Sequence, residues 1–192
     1  MKGYLKLRKK SLEILHSELS DNLHYHGIDH TLDVLNVCNQ YIKRDKIDSR
    51  NAKLLRIGAL LHDIGFTVSN INHEMHGVEI AKKLMEEFEF SQRDFSIVKG
   101  LILATKIPQK PQSNLEKIIC DADLDYLGRP DYYKIANRLF KELKAYTEIE
   151  TLDEWNSTQI KFLQAHNYHT KFALKRRKPQ KEKRITELKK LG

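Results

Sequence analysis

Imidazole and carboxylate side chains recur in four places along this chain: His26 and His30, the doublet His62-Asp63, His73 and His76, and the series Asp121, Asp123, Asp125. Mixed nitrogen and oxygen donors of this kind suit a divalent metal, which can polarise a water molecule and a phosphoryl oxygen together. Each set is weak by itself, and the surroundings decide. His62-Asp63 follows Ile57-Gly58-Ala59-Leu60-Leu61, so its carboxylate belongs to the most apolar stretch of the chain. An ionised carboxylate is not buried without a compensating partner, because its desolvation is costly. Either a salt bridge or a cation shared with other ligands must answer Asp63. The segment Asp121-Ala122-Asp123-Leu124-Asp125 poses the same problem inside a second apolar helix, Leu115 to Leu127. Alternate residues cannot all share one helix face, so one or two of the three are expected to point inward while the others cap or meet solvent. His26 and His30 are four apart, yet Gly27 sets the helix start near Ile28 and leaves His26 as a surface histidine.

The elements that must position these groups are helices. Apolar residues recur at helical spacing in a first segment (Leu5, Leu12, Leu15, Leu19) and a second (Leu32, Val34, Leu35, Val37, Tyr41), and period-two alternation is nowhere sustained. A third segment, from Ser49, becomes apolar on nearly every side, as a central helix does, and should carry His62 and Asp63 up to a stop at Gly65. Further helices are expected over about 72–88, 94–105, 114–125, 131–146 and 152–166. Ser91, Pro108, Pro111 and Gly128-Arg129-Pro130-Asp131 mark the turns. The fold class is therefore all-α, a compact helical bundle. Residues 1–170 form its single domain, and 171–192 a basic helical extension packed on it or trailing from it.

Composition narrows the function classes. With 40% hydrophobic residues, 31% charged, 8 Gly and 4 Pro, the 192 residues favour long helices around one core. No uncharged apolar run approaches the roughly 18 residues of a membrane span. The charged start MKGYLKLRKKSLEIL lacks the apolar stretch of an export signal, so a cytoplasmic protein with no membrane partner is expected. Cys38 and Cys120 read as buried free thiols in a reducing compartment. The net charge of +8 lies entirely in residues 171–192, where ten Lys or Arg face Glu182 and Glu187, while the rest of the chain balances at 24 of each sign. That leaves a role in nucleic-acid binding only to the tail.

Taken in order, the YHG-x-x-H entry with His30, the LLHDIG doublet with His62 and Asp63, and Asp123 in DADLDYLG resemble the H…HD…D signature of the HD superfamily of metal-dependent phosphohydrolases. The resemblance is close over about residues 20 to 130. Beyond it, Trp155, Gln159, Phe162-Leu163, His166 and Lys175-Arg176 are similar to the C-terminal end of small bacterial members. The resemblance implies a helical bundle of the HD-domain type in which His30, His62, Asp63 and Asp123 converge on one divalent metal (Mn, Fe, Co, Ni, Zn or Mg). Asp123 is taken as the ligand because it is the second of the D-x-D pair, with Asp121 behind it and Asp125 bonded to a ring nitrogen or a backbone group nearby. In two-metal members a histidine at the His73 position serves the second ion, but Ala104-Thr105 stands where another of its ligands would be, and a single metal is favoured.

The implied activity is hydrolysis of a phosphate ester of a nucleotide or other small phosphorylated metabolite by water activated at the metal. Asp63 would orient that water. His73 would contact the phosphate or the leaving oxygen, and Glu74 would act as general acid or base, unless it is simply an exposed first-turn carboxylate. Lys106 and Arg176, or Arg177 in its place, are candidate phosphate contacts; the plain alternative is a solvated lysine and a solvated basic face. Two rival readings compete: a nucleic-acid-associated protein or nuclease gripping phosphates with its basic tail, and a regulatory module that binds a nucleotide without cleaving it. The tail lacks interleaved aromatic residues, which disfavours the first.

Overall fold

The structure, a computed structural model, describes residues 2–146 and 149–190. Among these it holds ten α-helices and no strand: α1 (Lys2–Glu18), α2 (Ile28–Arg44), α3 (Ser49–Leu61), α4 (His73–Glu87), α5 (Gln92–Ala104), α6 (Asn114–Asp123), α7 (Tyr132–Tyr146), α8 (Leu152–Ala165), α9 (Lys171–Arg176) and α10 (Lys178–Leu188). No helix among them is long and apolar enough to cross a membrane.

Local chemistry explains several helix starts. Asp48 accepts from the backbone N–H groups of Arg50 and Asn51 and so caps α3, and Ser91 and Thr170 do the same for α5 and α9. Ser113 with Glu116, and Thr151 with Glu154, form reciprocal capping boxes at α6 and α8. The all-round apolar character of α3 places it at the centre. Leu54, Leu55, Ile57, Leu60 and Leu61 are wholly buried, packed among α1, α2, α5 and α6. A second apolar cluster joins Tyr25 and Tyr126 to Trp155, Leu163, Ala173 and Leu188. Cys38 and Cys120 are buried free thiols.

Three local expectations are corrected. The central helix does not run to Gly65; it ends at Leu61, with His62 as its cap and Asp63 leading a 3₁₀ turn, Ile64–Thr67. No glycine among the described residues has a positive φ, so Gly65 is not a left-handed stop. It is required for close approach, since a Cβ there would lie 1.8 Å from the carbonyl oxygen of His73 and 2.6 Å from the amide nitrogen of Gly77. Second, all three aspartates of the DADLD segment turn inward. The chain leaves the α-helix at Asp123 and continues as a 3₁₀ turn, Asp125–Gly128, which lifts the restriction of one helix face. Asp121 accepts the backbone N–H groups of His169 and Thr170, both at 2.8 Å. Asp125 pairs with the Arg177 guanidinium at 2.7 Å, not with a ring nitrogen or backbone group.

Third, the basic segment is only partly a solvated face. Arg177 is bound to Asp125, the Lys181 ammonium donates to the carbonyls of Leu163 and His166 at the end of α8, and Arg184 pairs with Glu187. Ala173 and Leu188 are buried against the second cluster. The junction of α9 and α10 approaches Gly128 so closely that a Cβ there would lie 2.5 Å from the Arg177 carbonyl oxygen.

Candidate metal centre

His30 reaches the site from the first turn of α2, His62 from the end of α3 and Asp123 from the end of α6; one ligand atom of each lies within 4.8 Å of the others. His30 Nε2 is 3.1 Å from Asp123 Oδ1 and 3.2 Å from His62 Nε2. Asp63, with φ −109° and ψ 7°, occupies the bridge region where active-site residues are often held. Its Oδ2 stands 3.1 Å from His62 Nε2 and 3.4 Å from His30 Nε2. Neither contact is aligned as a hydrogen bond, and that oxygen is a buried acceptor with no hydrogen-bonding partner.

These donors fit a cation. His62 Nδ1 lies 2.9 Å from the Ala59 carbonyl oxygen, which can only accept, so the neutral ring carries its lone pair on Nε2. That lone pair faces carboxylates and a second imidazole, an arrangement that is repulsive until a proton or a metal enters it. Burial works against protonation of His30 and His62, but the two carboxylates outweigh it and raise both rings, and the rings in turn hold Asp63 and Asp123 below the usual carboxylate range. A divalent ion would take the place of that proton. The bond from His62 to Ala59 is the outer contact that orients a metal-binding imidazole, and Tyr25, 4.6 Å from His30 between ring centroids, packs the other ring.

The cluster opens on a cavity of about 350 Å³ whose walls include Asp63, Asp123, His73, Glu74, Lys106 and His26. His73 Nε2 is 3.6 Å from both Asp63 Oδ1 and Glu74 Oε1. Glu74 is buried, so the reading of an exposed first-turn carboxylate is corrected: Gly65 draws the start of α4 inward. Arg176 does not reach this cavity. It is exposed on α9 and lines a separate groove with Phe172, Arg177 and Gln180.

The sequence profile described as the HD domain matches residues 27–125, which takes in all four of these ligand candidates. The chain belongs to the HD-domain family. That places it in the superfamily of metal-dependent phosphohydrolases, whose domains bind divalent metals. The chain is also similar to an uncharacterized protein of Clostridium beijerinckii, 28% identical over 101 residues, and the match spans 51% of this chain and 62% of that relative. No solved structure matches it.

One residue of this HD domain that sequence reasoning left on the surface lies in the cavity wall. His26 is half-buried, its ring stacks at 4.3 Å on Phe66, and Phe66 stacks at 4.1 Å on His73. Its Nδ1 bonds the buried carboxylate of Glu142 on α7, which also accepts the backbone N–H groups of Tyr25 at 2.7 Å and His26 at 3.0 Å. Burial alone would raise the Glu142 carboxyl, but the His26 ring and these N–H groups hold it below its usual range. The YHG-x-x-H entry contained the signal for His26. Nothing near Glu142 in sequence announced its part, because its partners are more than a hundred residues away.

Proposed function

We propose that this HD domain hydrolyses a phosphate ester of a nucleotide or another small phosphorylated metabolite, with one divalent metal held by His30, His62, Asp63 and Asp123. The carrying observation is the buried, partnerless Asp63 Oδ2 set against the His62 lone pair at the floor of a cavity with a lysine in its wall. When bound, the ion supplies Lewis acidity toward water and the phosphoryl group. Mn, Fe, Co, Ni and Zn suit the mixed donor set, and Mg suits it less well. A single ion is supported by Thr105, whose hydroxyl donates to the Ile102 carbonyl at 2.8 Å where a further ligand would be needed.

Asp63 is the residue to orient the attacking water, since its Oδ1 is turned toward His73 and the cavity. His73 and Lys106 offset phosphate charge, and the Glu74 carboxylate stands 3.6 Å from the same His73 Nε2 that faces Asp63. His26, tied through Nδ1 to Glu142, keeps Nε2 for proton transfer to the leaving oxygen. A small substrate is favoured over nucleic acid because Arg177, Lys181 and Arg184 direct their donors into the protein, which depletes the basic segment of phosphate contacts. Purified protein should take up manganese, iron or zinc and hydrolyse an aryl phosphate only when loaded. Asp63→Ala should abolish both properties while keeping a helical circular-dichroism spectrum. A wild-type protein that takes up none of these metals, or an Asp63→Ala variant with full turnover, overturns the proposal.

A further inference from the structure

Beside the cavity of the candidate metal site lies a second one, of about 130 Å³, half open and lined by α7, α8 and the turn before α7. Its walls are carbon almost throughout: Leu127, Ala136, Leu139, Trp155, Phe162 and Leu163. Tyr126, Leu139 and Phe162 line both spaces and so form their shared boundary, and a molecule with its phosphate at the metal site would enter the apolar chamber past Phe162, which is only partly buried. Of the polar side chains in its lining, Tyr132 and Gln159 are engaged with each other, and Tyr126 and Thr158 add one hydroxyl each. Tyr132 donates its hydroxyl hydrogen to Gln159 Oε1 at 2.7 Å, and Gln159 Nε2 donates to Asn156 at 3.3 Å.

We propose that this chamber is the subsite for the organic group of the substrate, and that the group it selects is apolar and about the size of one aromatic ring. This rests on the phosphohydrolase reading, which supplies the anchor at the metal. Two properties of the chamber carry the choice. An apolar cavity of roughly 150 Å³ accepts benzene, so the volume here matches a single ring or a short branched chain. A nucleobase would bring several hydrogen-bonding edges against walls that are mostly carbon and whose Tyr132 and Gln159 are bonded to each other, and polar groups left unpaired are penalised strongly. Within the class of small phosphorylated metabolites, the substrate is thereby narrowed to a phosphate ester bearing an apolar substituent.

Trp155 is the only tryptophan of the chain and stands in the chamber wall, so its emission reports occupancy without any turnover. Manganese-loaded protein should be titrated with benzylphosphonate and with methylphosphonate, which share the anchor and differ by the ring. The expected result is roughly ten- to hundred-fold tighter binding of the benzyl compound, the scale for burying a side chain of that size, with a shift of Trp155 emission that methylphosphonate does not produce. Ala136→Leu, which fills the chamber from α7, should erase the preference and leave methylphosphonate affinity unchanged; should this variant fail to fold, the wild-type emission decides alone. Equal affinities, or benzyl binding with unaltered Trp155 emission, overturn the subsite but leave the phosphohydrolase reading standing. Failure of both phosphonates to bind overturns that reading, and the subsite with it.

Discussion

Replacing Gly65 by alanine tests whether the start of α4 is part of the catalytic arrangement. The new Cβ would sit 1.8 Å from the His73 carbonyl oxygen, whereas such contacts essentially never fall below 3.0 Å, so the 3₁₀ turn and α4 must part by at least about 1.2 Å. The partner that yields is the start of α4. Asn70–Asn72 ahead of it are exposed, while Asp63 and Ile64 continue directly from the fully buried end of α3. His73 and Glu74 therefore withdraw from Asp63, to which His73 Nε2 now approaches within 3.6 Å. A misplacement of about 1 Å can cost about a hundred-fold in rate. Overpacking of this kind costs about 1–3 kcal/mol, or a drop of roughly 3–10 °C in Tm for a chain of this size. His30, His62 and Asp123 are borne by other elements, so metal uptake should be retained. The assay is aryl phosphate hydrolysis by protein of verified metal content, with Gly58→Ala as the comparison. Its Cβ meets the movable Leu101 side chain at 2.6 Å, so it perturbs packing without touching α4. Gly65→Ala turnover within about threefold of wild type at full metal content would refute a role for the α4 N-terminus, since the shift demanded exceeds the tolerance of about 1 Å.

Two further outcomes are expected. Arg177→Ala leaves Asp125, whose side chain is 1% exposed, with only Arg129 at 3.7 Å. Loss of one partner of a buried pair should cost about 2–4 kcal/mol in urea denaturation, largely restored by adding Asp125→Asn; an unchanged midpoint would mean that the pair contributes nothing. His166 is buried with neither ring nitrogen bonded, and burial, with Lys181 and His169 nearby, lowers its pKa to about 3. A histidine depressed below its unfolded value near 6.5 binds its proton more readily in the unfolded chain, so it gives up stability as pH falls from about 6.5 toward 3. His166→Phe should therefore gain on wild type in Tm as pH is lowered from 7 to 4, and parallel curves would rule this out.

The helical class and the apolar α3 could be read from residue periodicity, the convergence of His30, His62 and Asp123 was implied by the resemblance to the HD superfamily, and the residues themselves signalled a need for compensation. Carboxylates set in oily helices must be compensated, and the residue types able to do it are few. What escaped such reading was of another kind. Helix periodicity placed the three aspartates of DADLD on opposing faces, but the helix ends among them, and each finds its own partner: backbone N–H groups for Asp121, the metal-site imidazole of His30 for Asp123, and Arg177 for Asp125. Gly65 carried no local mark of its purpose, because the atom it avoids, the His73 carbonyl oxygen, is fixed by tertiary packing. The basic tail looked solvated because a charge run is judged by composition, whereas Ala173 and Leu188 are buried and draw Arg177 and Lys181 inward with them. His26 looked solitary because Glu142 belongs to another helix, far along the chain. Sequence thus discloses a requirement for compensation but not its supplier. Where two suppliers are possible, as with Asp63, the structure narrows the requirement to one place, an imidazole lone pair beside an unpartnered carboxylate oxygen, which a shared proton or a cation would answer.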